Sequence, residues 1–282
     1  MNNKCIRTTW SAFSWLAVAI FTSSASWAGD PVEAERLRTG KSCPRCDLRY
    51  ENAAKTDARG VDLRGSYMFN INLFSSKLAG ARLESANLLS ANLERADLSH
   101  AKLDRAILSS ASLAGATLIG SSMEQITARD ANFDSADLSN ANLTTANLSG
   151  SSFIFAFAEG ANFMSADLSS TNFNKARIRG AQFMNANLSG ANMSDARLMS
   201  SDMRRALMKG VDLSLANLAF ANMSGAVLID ANLKQSDLTG VNLSNANLKN
   251  ADLTGAELGS ALLDGANTCG AKLPPGYQAS PC

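Results

Sequence analysis

The chain is poor in the residues that most reactions need. Its single histidine, His100, has no serine, cysteine or aspartate partner evident in the sequence, so it reads as a surface corner residue rather than a catalytic base. No nucleophile elbow, phosphate loop, metal-ligand triad or dinucleotide fingerprint is present. Aromatic residues are scarce, at 6%, which fits an interior too narrow for large rings. Long hydrophobic runs are missing too: the longest apolar stretch, Phe13–Phe21, is too short for a comfortable membrane span. No excess of either charge exists, the formal net charge being +1. Strong general attraction to nucleic acid or to an anionic membrane is therefore not expected.

What is present is a five-residue rhythm over residues 46–273, as in Ala91-Asn92-Leu93, Ala141-Asn142-Leu143, Ala186-Asn187-Leu188 and Ala231-Asn232-Leu233. A straight helix advances about 100° per residue and would smear such leucines around every side. A flat strand has a period of two, so an odd repeat would send successive leucines to opposite faces. Within one repeat the Ala and Leu share a strand face, and the next Ala needs a corner to restore its direction. Four such sides close a square coil of twenty residues. Coils then stack through parallel hydrogen bonds about 4.8 Å apart, eleven of them giving a rod of about 50–55 Å. Ala and Leu fill the interior, Asn or Asp points outward, and Gly or Ser serves the corners, as at Gly65, Gly80, Gly115, Gly150, Gly190, Gly240 and Gly265. This is a solenoid.

These residues resemble the pentapeptide-repeat family. The resemblance implies a right-handed quadrilateral β-helix, the handedness coming from the family alone. An all-β solenoid is expected, with a short N-terminal helical cap and a C-terminal loop cap.

The chain divides into four parts. Residues 1–28 read as a secretory signal peptide: Lys4 and Arg7 precede the apolar core, and Ser26-Trp27-Ala28 forms a cleavage site before Gly29. Cleavage removes two positive charges and leaves a mature net charge of about −1, with no membrane span. The predicted destination is the periplasm or the exterior. Residues 29–45 form an N-terminal cap, in which Asp30-Pro31-Val32-Glu33 starts a helix through about Arg38, with Glu33 placed to complete a capping box. Residues 46–273 are the solenoid. Residues 274–282 break the rhythm at Pro274-Pro275-Gly276-Tyr277 and are placed to fold back as a lid.

Without Cys5 four cysteines remain, two at each end of the repeat and none inside it: Cys43, Cys46, Cys269 and Cys282. Three pairings are possible. Pairing within each end is favoured, because the ends lie tens of ångströms apart and a disulfide needs Cα atoms within about 7 Å. Cys43-Pro44-Arg45-Cys46 also has the shape of a thioredoxin-type redox pair. That motif needs a strand–helix scaffold, for which the preceding residues leave no room, so a structural disulfide opening the first coil is the better reading. Neither a metal nor a cofactor is expected.

Residues twenty apart should stack. Phe133, Phe153 and Phe173 then form one inward aromatic ladder, and Phe163 with Phe183 another. Ala128, Ala158 and Thr268 replace the usual large residue and mark expected weak points or bulges. Glu84, Asp104 and Glu124 share an outward column and read as solvated surface charge. The most irregular patch is Phe153-Ile154-Phe155-Ala156-Phe157, where Ile154, Phe155 and Phe157 occupy outward positions. One coil on, Phe155 meets Lys175 and Phe157 meets Arg177, which stacks near Arg197. An exposed apolar and basic patch is a candidate partner site.

The predicted function is an exported, non-enzymatic scaffold presenting rigid faces to a protein or envelope component, with homodimers possible and nucleic acid not expected. The family resemblance implies an alternative, a DNA-mimicking protein that binds type II topoisomerases and protects against quinolones. Such mimicry needs a strongly acidic cytoplasmic rod. A thiol–disulfide redox protein using Cys43 and Cys46 is the third reading.

Overall fold

The computed structural model describes residues 29–279 together with Pro281 and Cys282. The signal-peptide reading of residues 1–28 lies outside the described residues. From Cys46 onward the chain winds as a right-handed square coil, each side carrying one residue in parallel pairing with the residues twenty before and twenty after it. Four columns result: Asp47–Asn267 on the first face, Asn52–Lys272 on the second, Asp57–Glu257 on the third and Asp62–Leu262 on the fourth. Eleven coil steps separate Asp47 from Asn267, or about 53 Å of stack. Each side is too short to be a strand of several residues. The ladder is built from single bridges, with Leu98 N–H donating to Thr117 O at 2.7 Å and Asp97 N–H to Ser76 O at 2.9 Å as the pattern.

Every fifth residue from Arg45 to Gly270 has positive φ. Most corners are β-turns closed by a bond such as Ala91 N–H to Leu88 O at 3.0 Å, with the left-handed residue third, the type II pattern; at Arg45 and Asp130 the hydroxyl of Ser66 or Ser151 bridges the turn instead. Gly, Asn, Asp and Ser supply that conformation at little steric cost, and bulky side chains resist it. The outward Asn or Asp caps the turn. Its Oδ1 accepts the backbone N–H two residues on, as Asn142 does from Thr144 at 3.1 Å and Asp137 from Ser139 at 3.0 Å. This side-chain cap satisfies an amide that the turn would otherwise leave to water.

The interior is fully buried Leu, Ala, Met and Phe. Phe133, Phe153 and Phe173 stack at 4.7 and 4.5 Å, and Phe163 stacks on Phe183 at 5.0 Å. The two ladders meet edge to face at 6.0–6.3 Å, a favoured ring geometry. At Ala128 the expected irregularity appears in the corner: Ser151 Oγ accepts from Ala131 N–H at 3.3 Å and donates to Ala128 O at 2.5 Å in place of the direct turn bond. No bulge forms at Ala158 or Thr268, whose turn bonds from Ala161 and Ala271 N–H are kept at 3.2 and 2.9 Å. Thr127, Phe157 and Asn267 keep their bridges, and Ala158 lies in the same coil as Phe153 and Phe163, so a small residue balances two large ones.

Both ends are covered. The helix α1, Pro31–Arg38, starts at Asp30, whose side chain accepts from Val32 N–H, and buries Ala34 and Leu37 over the open first coil. Gly29 and Asp30 donate their N–H groups to Arg49 O and Asp47 O, satisfying an exposed edge. Gly29 must be glycine, because a Cβ there would lie 2.5 Å from Asp47 O. The capping box is not made: Glu33 turns away from the helix and accepts from Asp47 N–H at 2.6 Å. The edge amide of the coil thus takes the carboxylate that the helix start was expected to use. At the far end Tyr277 donates its hydroxyl to Leu258 O at 3.0 Å, and Leu263, Ala266, Ala271 and Leu273 are partly buried against the core.

Candidate surface site on the third face

The four cysteines form two bonded pairs at opposite ends of the rod. Cys43 and Cys46 have Cα atoms 5.5 Å apart, and Cys269 and Cys282 have them 4.9 Å apart. Cys43 and Cys46 are 1% and 4% exposed, which shields their sulfurs from an attacking thiolate. Glu33 brings a carboxylate within 4.8 Å of both sulfurs. That trio could ligate a metal only as free thiolates, and here the sulfurs are bonded to each other while Glu33 holds Asp47 N–H. In the acidic column, Asp104 and Glu84 are engaged internally. Asp104 accepts from Ser122 Oγ at 2.5 Å and Glu124 N–H at 2.9 Å, and Glu84 pairs with Arg82 at 3.5 Å. His100 stands at a corner, its ring lying over Gly120.

The third face breaks the local rules. Its outward column runs Asp137, Phe157, Arg177, Arg197, Asn217. Phe157, Arg177 and Arg197 are three successive positions without Asn, Asp, Ser or Thr, the longest such run in the solenoid. Each forfeits the cap that Asn142 and Asp137 provide.

The corners depart in the same region. Among the described residues, large apolar side chains occupy left-handed corners at Tyr50, Phe155, Leu215 and Phe220. Three of these border the third face between coils 151–170 and 211–230. They are exposed by 53%, 57% and 65%, so burial does not offset their unfavourable backbone.

The structure assembles the sequence-predicted residues as follows. Lys175 Nζ lies 5.6 Å from the Phe155 ring centre, and the Arg177 guanidinium 5.1 Å from that of Phe157. Arg177 bridges Phe157 below and Arg197 above. Ile154 is half-buried beside the patch, its N–H bonded to Asp134 at 2.9 Å, so it contributes less surface than its neighbours. Sequence reasoning missed the flanks. Arg179, Glu159, Asp195 and Leu215 join Arg177 and Arg197 around a shallow hollow of about 450 Å³. The signal was available in the twenty-residue register, which puts Leu215 in the column of Phe155 and Lys175.

The pentapeptide-repeat family model matches in eight overlapping copies covering residues 66–144 and 146–267. Among solved structures, the chain is similar to HetL from the cyanobacterium Nostoc sp. strain PCC 7120, a pentapeptide repeat protein involved in heterocyst differentiation regulation. That match has 27% identity over 80% of this chain and 94% of HetL, with a TM-score of 0.45. QnrB1, a plasmid-mediated fluoroquinolone resistance protein, is 25% identical over 57% of this chain and 91% of its own, with a TM-score of 0.29. A pentapeptide repeat protein of the Arabidopsis thaliana thylakoid lumen is 33% identical over 36% of this chain and 66% of its own, with a TM-score of 0.29. No curated protein matches the chain. A square coil of twenty residues, turned by a left-handed residue every fifth position and matched by the family's model through most of its length, makes this chain a member of the pentapeptide-repeat family.

Proposed function

We propose that this chain is an exported, non-enzymatic scaffold that docks a protein or envelope component on its third face. One observation carries the reading: Phe155, Leu215 and Phe220 hold exposed corners whose backbone conformation disfavours them. Side chains that cost stability and are not buried are accounted for by a partner that covers them. The non-enzymatic part is supported by the engagement of each reactive-looking cluster: Cys43 with Cys46, Asp104 with Ser122, Glu84 with Arg82. Export is supported by the leader-like residues 1–28, and the paired cysteines suit an oxidising compartment. Mimicry of a DNA duplex is disfavoured, because Lys175, Arg177, Arg179 and Arg197 put positive charge where phosphates would have to be imitated.

The test expresses the full chain with its own leader and a photo-crosslinker in place of Phe155. The mature N-terminus should be Gly29, and irradiation of the envelope fraction should trap a discrete partner. An uncleaved cytoplasmic chain would overturn the export reading. Trapping that Phe157→Asp leaves unchanged would overturn the docking face.

A further inference from the structure

Four of the arginines elsewhere on this solenoid share a simple arrangement. Arg49, Arg59, Arg64 and Arg204 each pair with an aspartate two residues earlier, at 2.5–2.7 Å. Arg179 stands at the equivalent position on the third face, and the residue two before it is Arg177. The place of the neutralising aspartate is thus taken by a second cation. Lys175 and Arg197 complete the group, and none of the four is in an ion pair among the described residues. Two of them lie over aromatic rings, which leaves guanidinium and ammonium donors free to bond outward.

Two carboxylates limit what can bind. Glu159 and Asp195 stand at opposite edges of the same hollow. A rod of uniform negative charge, such as duplex DNA or a sulfated glycan, would meet both of them while contacting the cations. A segment with a few acidic groups, placed centrally, would not. Apolar surface lies on both sides of the cations: Phe155 and Phe157 one coil before, Leu215 and Phe220 beyond. The Phe157 and Asn217 rows are three coil steps apart, about 14 Å, which is about four residues of extended peptide.

We propose that the third face binds an acidic segment of a protein partner, whose carboxylates meet Arg177, Arg179 and Arg197 and whose flanking apolar residues cover Phe155–Phe157 and Leu215–Phe220. Forked guanidinium groups suit carboxylates held in two-point contact. This inference rests on the docking reading above and adds the chemistry of the partner.

A random peptide library displayed on phage, selected against the full disulfide-bonded protein, tests it. Selected peptides should carry two or more acidic residues between apolar ones. By fluorescence anisotropy they should lose at least tenfold in affinity for the Arg177→Gln/Arg197→Gln variant. Both positions are exposed, and an unchanged melting curve establishes that this variant folds; Arg179→Gln serves as a second probe. Peptides without acidic residues, or affinities indifferent to these substitutions, would overturn the proposal. So would a heparin fragment or duplex DNA binding more tightly with the same arginine dependence. A partner trapped at position 155 through a neutral or basic segment would refute the acidic chemistry and leave the docking face standing, whereas failure to trap any partner there would remove the docking face itself.

Discussion

At the scale of single residues, the fold repeats one solution and the candidate site departs from it. Asn or Asp caps a turn amide, and a left-handed residue turns the corner. Phe155 stands at a corner, where its left-handed backbone is one that asparagine adopts more readily than phenylalanine. Phe155→Asn is therefore expected to leave the melting temperature unchanged or raise it slightly, while partner capture falls. Circular dichroism melting beside crosslinking checks this; a loss of stability would mean that the ring is structural. Acid stability is also argued at this scale. The Arg64 hydrogen bond holds the Asp62 carboxyl at about 2, below its ordinary value of 3.8. Hydrogen bonding by Arg49, Arg59 and Arg204 lowers Asp47, Asp57 and Asp202, and Thr254 with Lys272 and Lys234 lowers Asp252. A carboxyl lowered in the folded state binds fewer protons there than in the unfolded chain as pH falls. Its contribution is present above about pH 4 and is lost toward pH 2. Thermal melts should be level from pH 8 to 5 and decline between pH 4 and 2. Asp62→Asn should soften that decline, and melts that rise on acidification through the same window would contradict the assignment.

At the scale of elements, the helical cap is the part most open to a clean test. Leu37 is fully buried between α1 and the first coil, so Leu37→Ala should cost about 2–5 kcal/mol locally. Coils interact mainly with their neighbours. Hydrogen exchange should therefore accelerate in residues 47–75 and stay slow near residues 200–250. Uniform acceleration along the rod would show that the cap governs the whole stack. The elements also show what was legible in the sequence. The helix start at Asp30-Pro31 was readable from its cap chemistry, and the Phe133–Phe153–Phe173 ladder from the twenty-residue register. Glu33 was not, because its carboxylate had two amides to choose between, and the choice depends on where the coil edge lies. The same holds for Asp104 and Asp134, which reach across coils to Glu124 and Ile154 N–H. Side-chain reach between coils is absent from a one-dimensional pattern. Leu215 and Phe220 belong between these cases: their column was readable, but their meaning required knowing that every corner has positive φ.

At the scale of the whole molecule, a rod of about 53 Å offers four long faces, and they differ. The second face is a nearly unbroken ladder of Asn, Ser and Asp, and the first and fourth carry shorter interruptions. Among the described residues, the third brings four cations outside any ion pair together with three exposed left-handed apolar corners within four coils, whereas the first has Tyr50 and Tyr67 beside an Arg49 that pairs with Asp47. The measurement that bears most directly on this asymmetry is site-specific photo-crosslinking in the native cell. The same probe is placed at Phe155 on the third face and at Asn147 on the opposite one. A docking third face predicts a discrete crosslinked species from position 155, abolished by Phe157→Asp, and none from position 147. Equal crosslinking from both positions, or crosslinking from position 147 alone, would contradict it.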